Sequence, residues 1–177
     1  PRGGATPLGA VGYALAAHEL ARQLAELGSA PELVLVATGS CGTQAGLVVG
    51  TVAAGRRWRV LGATVSRPPA ECRDRVLRLA RACAALLRSP APEERDVELV
   101  DARGPGYGMA SADGEAAARL AAATEGLLLD PVFTAKAMAV LIATAAKGLP
   151  GPAVFVHTGG MAVALQSIVR GCGGQPR

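Results

Sequence analysis

Aromatic rings and lysines are scarce in this chain, and their scarcity narrows the functions that it can have. Only 3% of the 177 residues are aromatic, and the net charge of +4 comes from arginines because the chain has just two lysines, Lys136 and Lys147. Nucleic-acid binding usually needs a basic stripe interleaved with stacking aromatic rings. The arginines are instead scattered among acidic residues. The sequence therefore predicts a solvated charged surface and no nucleic-acid partner.

Cysteine motifs, long apolar runs and targeting segments are also missing. The four cysteines, Cys41, Cys72, Cys83 and Cys172, have neither metal-ligand spacing nor a short paired motif. Free thiols in a reducing cytosol are therefore expected, with no bound metal. No apolar run is long enough to cross a membrane, and the first residues do not resemble a signal peptide. These absences favour a cytoplasmic protein with no membrane partner.

Apolar runs alternate with helical patterns along the whole chain, which predicts a single α/β domain over residues 1–177. Strands are predicted at 32–37, 59–65, 96–100 and 153–157, with a short extended piece at 126–129. Helices are predicted at 10–27, 44–54, 70–88, 114–124, 134–147 and 161–169, the first of them starting at Thr6-Pro7. This alternation predicts an open, mostly parallel sheet with helices on both faces.

The segment Thr38-Gly39-Ser40-Cys41-Gly42-Thr43 has the pattern of a phosphate site. It follows the apolar run 33–37 and opens the next predicted helix. Glycines let a backbone approach a ligand closely, and a helix N-terminus supplies partial positive charge. The hydroxyls of Thr38, Ser40 and Thr43 add hydrogen-bond donors. The segment, called the phosphate loop below, therefore predicts an anion site.

The phosphate loop does not match either of two common nucleotide-binding motifs. A P-loop needs a lysine before the hydroxyl residue, but Gly42-Thr43 is followed by Gln44. A dinucleotide site needs a different glycine spacing and a carboxylate on the next strand, and the strand at 59–65 has none. A single small phosphate ester remains, and pyridoxal phosphate is the cofactor that most often needs such a grip. The alternative is a glycine-rich turn that only packs a helix on a strand.

Further candidates lie at other predicted strand ends and loops. Thr158, after the last strand, can reach a ligand at the same sheet edge or cap the final helix. His157 ends an apolar strand, which favours a core role over a catalytic one. Tyr107, on a glycine-flanked loop, can transfer a proton, stack on a substrate or anchor the loop. Asp130 and Thr134 lie at the start of a predicted helix, where residues of these types more often cap the helix than bind a ligand.

Four segments in this order, together with the opening 3–13, resemble one family across essentially the whole chain. They are Thr38-Gly39-Ser40-Cys41-Gly42-Thr43-Gln44-Ala45-Gly46-Leu47, Gly104-Pro105-Gly106-Tyr107-Gly108, Leu128-Leu129-Asp130-Pro131-Val132-Phe133-Thr134-Ala135-Lys136-Ala137-Met138 and His157-Thr158-Gly159-Gly160. The family is that of D-cysteine desulfhydrase and 1-aminocyclopropane-1-carboxylate deaminase. Its members are pyridoxal-phosphate enzymes of the tryptophan-synthase-β-like fold, fold type II.

The resemblance implies a role for each matching residue. Thr38, Gly39, Ser40, Cys41, Gly42 and Thr43 are expected to hold the cofactor phosphate. Thr158 is expected near the pyridine nitrogen, and Tyr107 near the substrate. A hydroxyl at Thr158 fits the desulfhydrase-like branch, because the cyclopropane deaminase branch uses a glutamate where this chain has Thr134.

Two residues depart from the family pattern. Phe133 stands where members usually carry a second active-site tyrosine, so a hydroxyl is absent there. Cys41 replaces a small residue, often glycine, in the phosphate loop. Either change could alter the substrate or the activity.

The Schiff-base lysine is not expected within this chain. On chemistry alone Lys136 is the candidate, but in the family that lysine belongs to an N-terminal segment, and the smaller domain is mostly upstream as well. The chain is therefore expected to be the C-terminal, cofactor-binding part of a longer enzyme and inactive alone.

The expected reaction releases pyruvate and ammonia from a small amino acid such as D-cysteine, and the family implies a homodimer. Two alternatives stay open. One is a non-catalytic fragment that binds a phosphate ligand without the lysine. The other is an unrelated α/β domain whose glycine turns are structural.

Overall fold

A parallel sheet of four strands lies at the centre of the structure, a computed structural model that describes residues 2–56 and 58–172. The strands are β1 (Leu33–Thr38), β2 (Arg59–Thr64), β3 (Glu98–Asp101) and β4 (Ala153–Val156). Their order is β3-β2-β1-β4, and every pair is parallel. The four predicted strands are confirmed to within about two residues at each end, whereas 126–129 lies outside the sheet.

Six helices surround this sheet in the described part of the chain. They are α1 (Pro7–Glu26), α2 (Gly42–Ala53), α3 (Pro69–Leu87), α4 (Ala112–Glu125), α5 (Thr134–Ala146) and α6 (Met161–Cys172). The predicted start of α1 is confirmed, since the Thr6 hydroxyl accepts a hydrogen bond from the Gly9 N–H and proline opens the helix. Ser111 caps α4 in the same way.

The helices cover both faces of the sheet, as the sequence predicts. Alternation along β1 explains this arrangement, because successive side chains of a strand point to opposite faces. Val34 and Val36 join the core formed with α1, α2 and α3, whereas Leu33 and Leu35 pack on the other face with Ala137 of α5. The predicted α/β class with helices on both faces is therefore confirmed.

The strand order places a ligand crevice at one end of the sheet. From β1 the chain winds outward through β2 to β3, then crosses back to place β4 on the other side of β1. The helix after β1, α2, and the helix before β4, α5, lie on opposite faces of the sheet, and open α/β sheets bind ligands at the carboxyl ends of two such neighbouring strands. The segments that leave these ends are 39–41 and 157–160, both predicted from sequence.

Close contact between α1 and α2 fixes the position of the phosphate loop. Gly46 and Gly50 of α2 face α1, and a Cβ at Gly46 would collide with the carbonyl oxygen of Ala10. A Cβ at Gly50 would meet the carbonyl oxygen of Ala14. The absence of side chains at both glycines lets the two helices cross at short range and positions the first turn of α2.

Candidate functional site

A cleft of about 470 Å³ opens at the carboxyl end of the sheet. Five of the predicted site residues line it, and they come from three separate segments: Gly39, Ser40, Thr43, Tyr107 and Thr158. Small-molecule sites are commonly about 300–1,000 Å³ in volume, so the cleft has room for a cofactor with a small substrate. The fold therefore brings together residues that are up to 119 positions apart in the sequence.

The N-terminus of α2 forms one wall of this cleft. Its N-cap residue, Cys41, adopts the left-handed conformation (φ 76°, ψ −8°) and makes no side-chain cap hydrogen bond. The N–H groups in the first turn of a helix have no acceptor within the helix. An anion beside Ser40 and Thr43 would supply acceptors for them and would lie at the positive end of the helix dipole. This wall fits a phosphate group.

Thr38 does not line the cleft, although its hydroxyl was part of the predicted phosphate grip. The side chain is buried, and its hydroxyl donates a 2.8 Å hydrogen bond to Oε1 of Gln44. Nε2 of Gln44 in turn donates to the carbonyl oxygen of Glu98, also at 2.8 Å. The Thr38 hydroxyl therefore belongs to a buried link between β1, α2 and β3.

Cys41 and Gly42 also lie outside the cleft lining. The Cys41 side chain is buried, with its Sγ 3.8 Å from the carbonyl oxygen of Gly39. Gly42 faces the segment before α1, where a Cβ would lie 3.1 Å from the Cα of Ala5. Both residues pack on the side of the phosphate loop that faces the protein core.

Two arginines that the sequence pattern did not single out hold the carbonyl groups of the phosphate loop. Arg67 Nη1 donates to the carbonyl oxygen of Gly39, and Arg75 Nε donates to that of Ser40, both at 3.0 Å. Both side chains also line the cleft. A trans peptide points its carbonyl and its next N–H in opposite directions, so the N–H groups of Ser40 and Cys41 face away from these arginine nitrogens. The arginines therefore fix the loop and add positive charge to the cleft.

The sequence holds a clue that could have identified one of these two arginines as a site residue, but not the other. Arg67 follows the carboxyl end of β2, and carboxyl ends of parallel strands share one sheet edge. Arg75 lies within α3, where it is one of several arginines with similar spacing. Its contact with Ser40 depends on how α3 packs beside α2.

Asp130 and Thr134 form a closed hydrogen-bonded cap at the start of α5. One Asp130 oxygen accepts 2.9 Å bonds from the N–H groups of Val132 and Phe133, and the other accepts from the N–H and the hydroxyl of Thr134. The Thr134 oxygen also accepts from the Asp130 N–H at 2.8 Å. Asp130 therefore accepts from the N–H groups that lead into α5, as the cap interpretation predicts, whereas Thr134 is the first residue of the helix and holds Asp130 in place. Both residues also border the cleft.

Lys136 is one of the largest fully buried side chains, and its amine faces a loop. Nζ donates to the carbonyl oxygens of Arg103 at 2.7 Å and Gly106 at 2.9 Å. Burial lowers its pKa below the ordinary value of a lysine. Lys136 is not among the residues that line the cleft, so the structure does not support it as a covalent partner of a ligand there.

The loop that Lys136 holds carries Tyr107. The Tyr107 ring is 60% exposed and meets the edge of Phe133, with 6.1 Å between ring centroids. Phe133 in turn packs beside Gly39, where a Cβ would lie 3.1 Å from a ring carbon. The two rings therefore form an aromatic part of the cleft lining that begins beside Gly39.

His157 has a structural contact, as its position at the end of an apolar strand predicts. A ring nitrogen, Nε2, lies 3.1 Å from the carbonyl oxygen of Leu128. The ring also meets Phe155 edge-on. This contact ties β4 to the segment before α5 and places the adjacent Thr158 at the cleft.

Residues 2–56 and 58–172 contain neither a metal-binding cluster nor a helix suited to a membrane. No group of three His, Cys, Asp or Glu side chains in these ranges could hold a metal ion, and no helix there is long and apolar enough to span a bilayer. Cys41, Cys72 and Cys83 are free thiols, while the Cys172 side chain lies outside the described part.

Comparisons with known proteins agree with this geometry. Residues 1–159 match the family described as "Pyridoxal-phosphate dependent enzyme". D-cysteine desulfhydrase of Salmonella paratyphi C (strain RKS4594) is 44% identical over 164 residues, which is 90% of this chain and 49% of that protein. The Klebsiella pneumoniae desulfhydrase is 44% identical over 163 residues, with the same coverage of both proteins.

Solved structures place the fold in the same group. A crystal structure of an ACC deaminase homologue superposes with a TM-score of 0.87 and 32% identity, covering 96% of this chain and 51% of that one. The threonine deaminase of T.th. superposes with a TM-score of 0.59 at 22% identity, covering 88% of this chain and 59% of that one, which shows the fold alone. The chain spans about half the length of the curated relatives it matches.

Proposed function

This chain belongs to the family of pyridoxal-phosphate-dependent enzymes, and on that basis we propose that its cleft holds the cofactor of a D-cysteine desulfhydrase-like lyase. The proposed reaction releases pyruvate and ammonia from a small amino acid. One observation carries the proposal: Ser40, Thr43, Tyr107 and Thr158 line a single cleft. The resemblance of the sequence to the family implies a place for each of these four residues at the cofactor or at the substrate.

The proposed phosphate-binding site consists of the phosphate loop and the first turn of α2. Support comes from the uncapped N-terminus of α2 and from the hydroxyl residues Ser40 and Thr43 at the cleft. Arg67 and Arg75 stabilise the loop from the α3 side and contribute the cationic character that a dianionic ester needs. Pyridoxal phosphate, when bound, supplies an electron sink for the bond that breaks at the amino acid.

Thr158 is proposed to lie at the pyridine nitrogen, as a neutral hydroxyl partner. The alternative hydroxyl, that of Thr134, donates to and accepts from Asp130 in a closed cap. Asp130 is the carboxylate residue that borders the cleft, and both of its oxygens already accept hydrogen bonds from residues 132–134. This arrangement supports the desulfhydrase-like branch, because it leaves no uncommitted carboxylate among the cleft-lining residues described.

Tyr107 is proposed to move or hold a proton at the substrate. Its phenol lies on the exposed side of the cleft, where a small substrate would enter. Phe133 offers only an apolar ring edge beside it. Proton transfer that two tyrosines could share elsewhere in the family therefore falls on Tyr107 in this chain.

The covalent lysine is proposed to come from a part of the protein outside residues 1–177. Both hydrogen bonds of Lys136 go to backbone carbonyl groups of the Tyr107 loop. That observation also supports the second candidate function, a non-catalytic fragment that binds a phosphate ligand without the lysine. The coding sequence upstream of Pro1 distinguishes the two candidates, because the enzyme requires an in-frame Asn-Lys-type segment there.

The product of the full-length gene provides the direct test of the lyase proposal. Release of ammonia and of the 2-oxo acid is measured, the acid being pyruvate from D-cysteine, L-cysteine and cysteate and the four-carbon 2-oxobutanoate from 1-aminocyclopropane-1-carboxylate. We expect D-cysteine or another β-substituted amino acid to be preferred, and Tyr107→Phe to lower turnover by about 100-fold, within the range typical of lost general acid–base catalysis. Saturable cofactor binding without release of ammonia and a 2-oxo acid from any of the four would support the non-catalytic candidate.

A homodimer is proposed from the family resemblance. Sedimentation velocity of the full-length product tests it, and a monomer at micromolar concentration would contradict it.

A further inference from the structure

The loop that carries Tyr107 has few side-chain anchors of its own. Glycines occupy positions 104, 106 and 108, and each has a positive φ, of 58°, 150° and 80°. Residues 107–110 are all exposed, the Tyr107 ring by 60% and the Met109 side chain by 55%. Glycine loses more conformational freedom on ordering than any other residue, so such a segment is costly to hold in one place. The position of the Tyr107 phenol therefore depends on contacts from outside the loop.

The backbone of this loop forms two successive turns that meet at Gly106. The Gly106 N–H donates to the carbonyl oxygen of Arg103 at 3.2 Å, and the Met109 N–H donates to that of Gly106 at 3.4 Å. The Gly106 carbonyl belongs to the peptide group that leads into Tyr107. Because a peptide group is planar, the direction of this carbonyl constrains where the Cα of Tyr107 lies.

Lys136 joins the two turns. Its Nζ donates to both turn carbonyls, to that of Arg103 at 2.7 Å and to that of Gly106 at 2.9 Å. Within residues 2–56 and 58–172, no other side chain makes a hydrogen bond to residues 104–110. The Lys136 amine is therefore the side-chain hydrogen-bond donor that ties this loop to the body of the protein.

The start of α5 fixes Lys136 itself. Lys136 is the third residue of this helix, directly after the hydrogen-bonded cap at 130–134, and its side chain is buried. The first turn of α4 packs against it, since a Cβ at Gly114 would lie 3.4 Å from the backbone nitrogen of Lys136. Phe133, whose ring meets Tyr107, is the N-cap residue of the same helix. The start of α5 therefore holds the Tyr107 loop at two points.

Local packing gives no reason of its own for a lysine at this position. Burial of an amine costs free energy unless polar groups compensate for it. In the part of the chain that the structure describes, no carboxylate forms an ion pair with Lys136, and the residue is not part of the cleft lining. Its neighbours Ala135 and Ala137 are fully buried apolar residues. An apolar side chain would therefore cost less to bury here, and the amine contributes its contact with the two turns.

We propose that Lys136 is a positioning residue that sets the place of the Tyr107 phenol through the carbonyl groups of Arg103 and Gly106. The inference rests on the proposed function, in which Tyr107 moves or holds a proton at the substrate. Proton transfer needs heavy atoms within hydrogen-bond reach, and a displacement of about 1 Å can lower a rate about 100-fold. Loss of the amine releases the loop but leaves the phosphate loop and Thr158 in place. Turnover therefore falls, while cofactor binding does not.

Kinetics of the full-length gene product test this role. Lys136→Met keeps an unbranched side chain without the amine, and each turn carbonyl keeps its backbone N–H partner, so we expect the variant to fold. Lys147→Met is the matched control, because Lys147 is exposed at the other end of α5 and its substitution removes the same charge. We expect Lys136→Met to lower kcat about tenfold or more and to leave KM and the affinity for pyridoxal phosphate within about twofold of the wild type. Lys147→Met should change none of the three.

A double-mutant cycle with Tyr107→Phe distinguishes positioning from general destabilisation. If Lys136 acts through the Tyr107 hydroxyl, Lys136→Met should lower kcat by less than about threefold when Tyr107→Phe is already present. An equal loss of kcat in both backgrounds would overturn the proposal. A loss of cofactor affinity as large as the loss of kcat would overturn it as well.

Hydrogen exchange of the same full-length product gives a readout that does not depend on activity. We expect the amides of residues 103–109 to exchange about tenfold faster or more in Lys136→Met, with α4 and α5 unchanged, because the turns open locally. Unchanged exchange in the loop, or faster exchange throughout both helices, would overturn the proposal. If the wild-type product releases no 2-oxo acid, the proposed function fails, and faster exchange confined to 103–109 still assigns control of the loop to Lys136.

Discussion

Arg75 provides the sharpest test of how the phosphate loop is held. Its Nε donates a partly buried hydrogen bond to the Ser40 carbonyl at 3.0 Å. A hydrogen bond to a charged group contributes about 1.5–3 kcal/mol, and partial exposure favours the lower end of that range. Arg75→Met keeps most of the apolar stem and removes the bond and the charge. We therefore expect phosphate affinity to fall about tenfold, because about 1.4 kcal/mol corresponds to a factor of ten.

Isothermal titration of the purified chain with pyridoxal phosphate and with inorganic phosphate measures this change. Arg78→Met is the matched control, because Arg78 is exposed on the same helix and its substitution removes the same net charge. Arg75→Lys separates charge from geometry, since lysine keeps the charge without the Nε donor. Equal weakening by Arg78→Met would show that only net charge matters. Unchanged affinity in Arg75→Met would refute the role of the Ser40 contact.

Three further substitutions test the packing and the buried polar groups, each by urea unfolding. Gly46→Ala should lower the free energy of unfolding by about 3 kcal/mol, because a methyl group there collides with α1. Gly12→Ala, at an open helix position, should raise it by about 0.5 kcal/mol. Equal effects of the two substitutions would contradict the described crossing of α1 and α2. Asp130→Asn should lower the free energy of unfolding by about 3 kcal/mol, because the amide nitrogen cannot accept hydrogen bonds from the N–H groups of residues 132–134. The control, Asp113→Asn at an exposed position of α4, should lower it by less than about 1 kcal/mol. Burial lowers the pKa of Lys136, so above that pKa the unfolded chain binds more protons than the folded one. The stability of the wild type relative to Lys136→Met should therefore rise with pH between the lowered pKa and the ordinary value of a lysine, and no rise as the pH approaches that ordinary value would be inconsistent with the buried amine.

Local sequence patterns predict most of the fold because the elements carry their own start and stop signals. Thr6 followed by proline marks the start of α1, and the apolar run of β1 is too regular to be mistaken for a loop. The segment 126–129 is the exception, since its apolar residues pack as loop and do not pair with a strand. Apolar composition alone does not distinguish a short strand from a buried connection.

The cleft was less predictable, because side-chain direction depends on tertiary packing. Hydroxyl density identifies the phosphate loop but cannot show that the Thr38 hydroxyl turns inward to Gln44 while Ser40 and Thr43 border the cleft. The contact of Arg75 with Ser40 spans 35 positions and depends on how α3 packs. Lys136 shows the same limit, since its residue type suggested chemistry and its partners are two backbone carbonyls.

Titration with pyridoxal phosphate decides whether the cleft is a cofactor site. The purified chain is titrated with pyridoxal phosphate and with pyridoxal, followed by absorbance and fluorescence, and inorganic phosphate is added as competitor. We expect saturable one-to-one binding of pyridoxal phosphate that inorganic phosphate displaces and that Thr43→Ala weakens about tenfold or more, with exposed Thr124→Ala as an unaffected control. No saturable binding, an affinity for pyridoxal equal to that for pyridoxal phosphate, or an unchanged affinity in Thr43→Ala would contradict a cofactor site built on the phosphate loop.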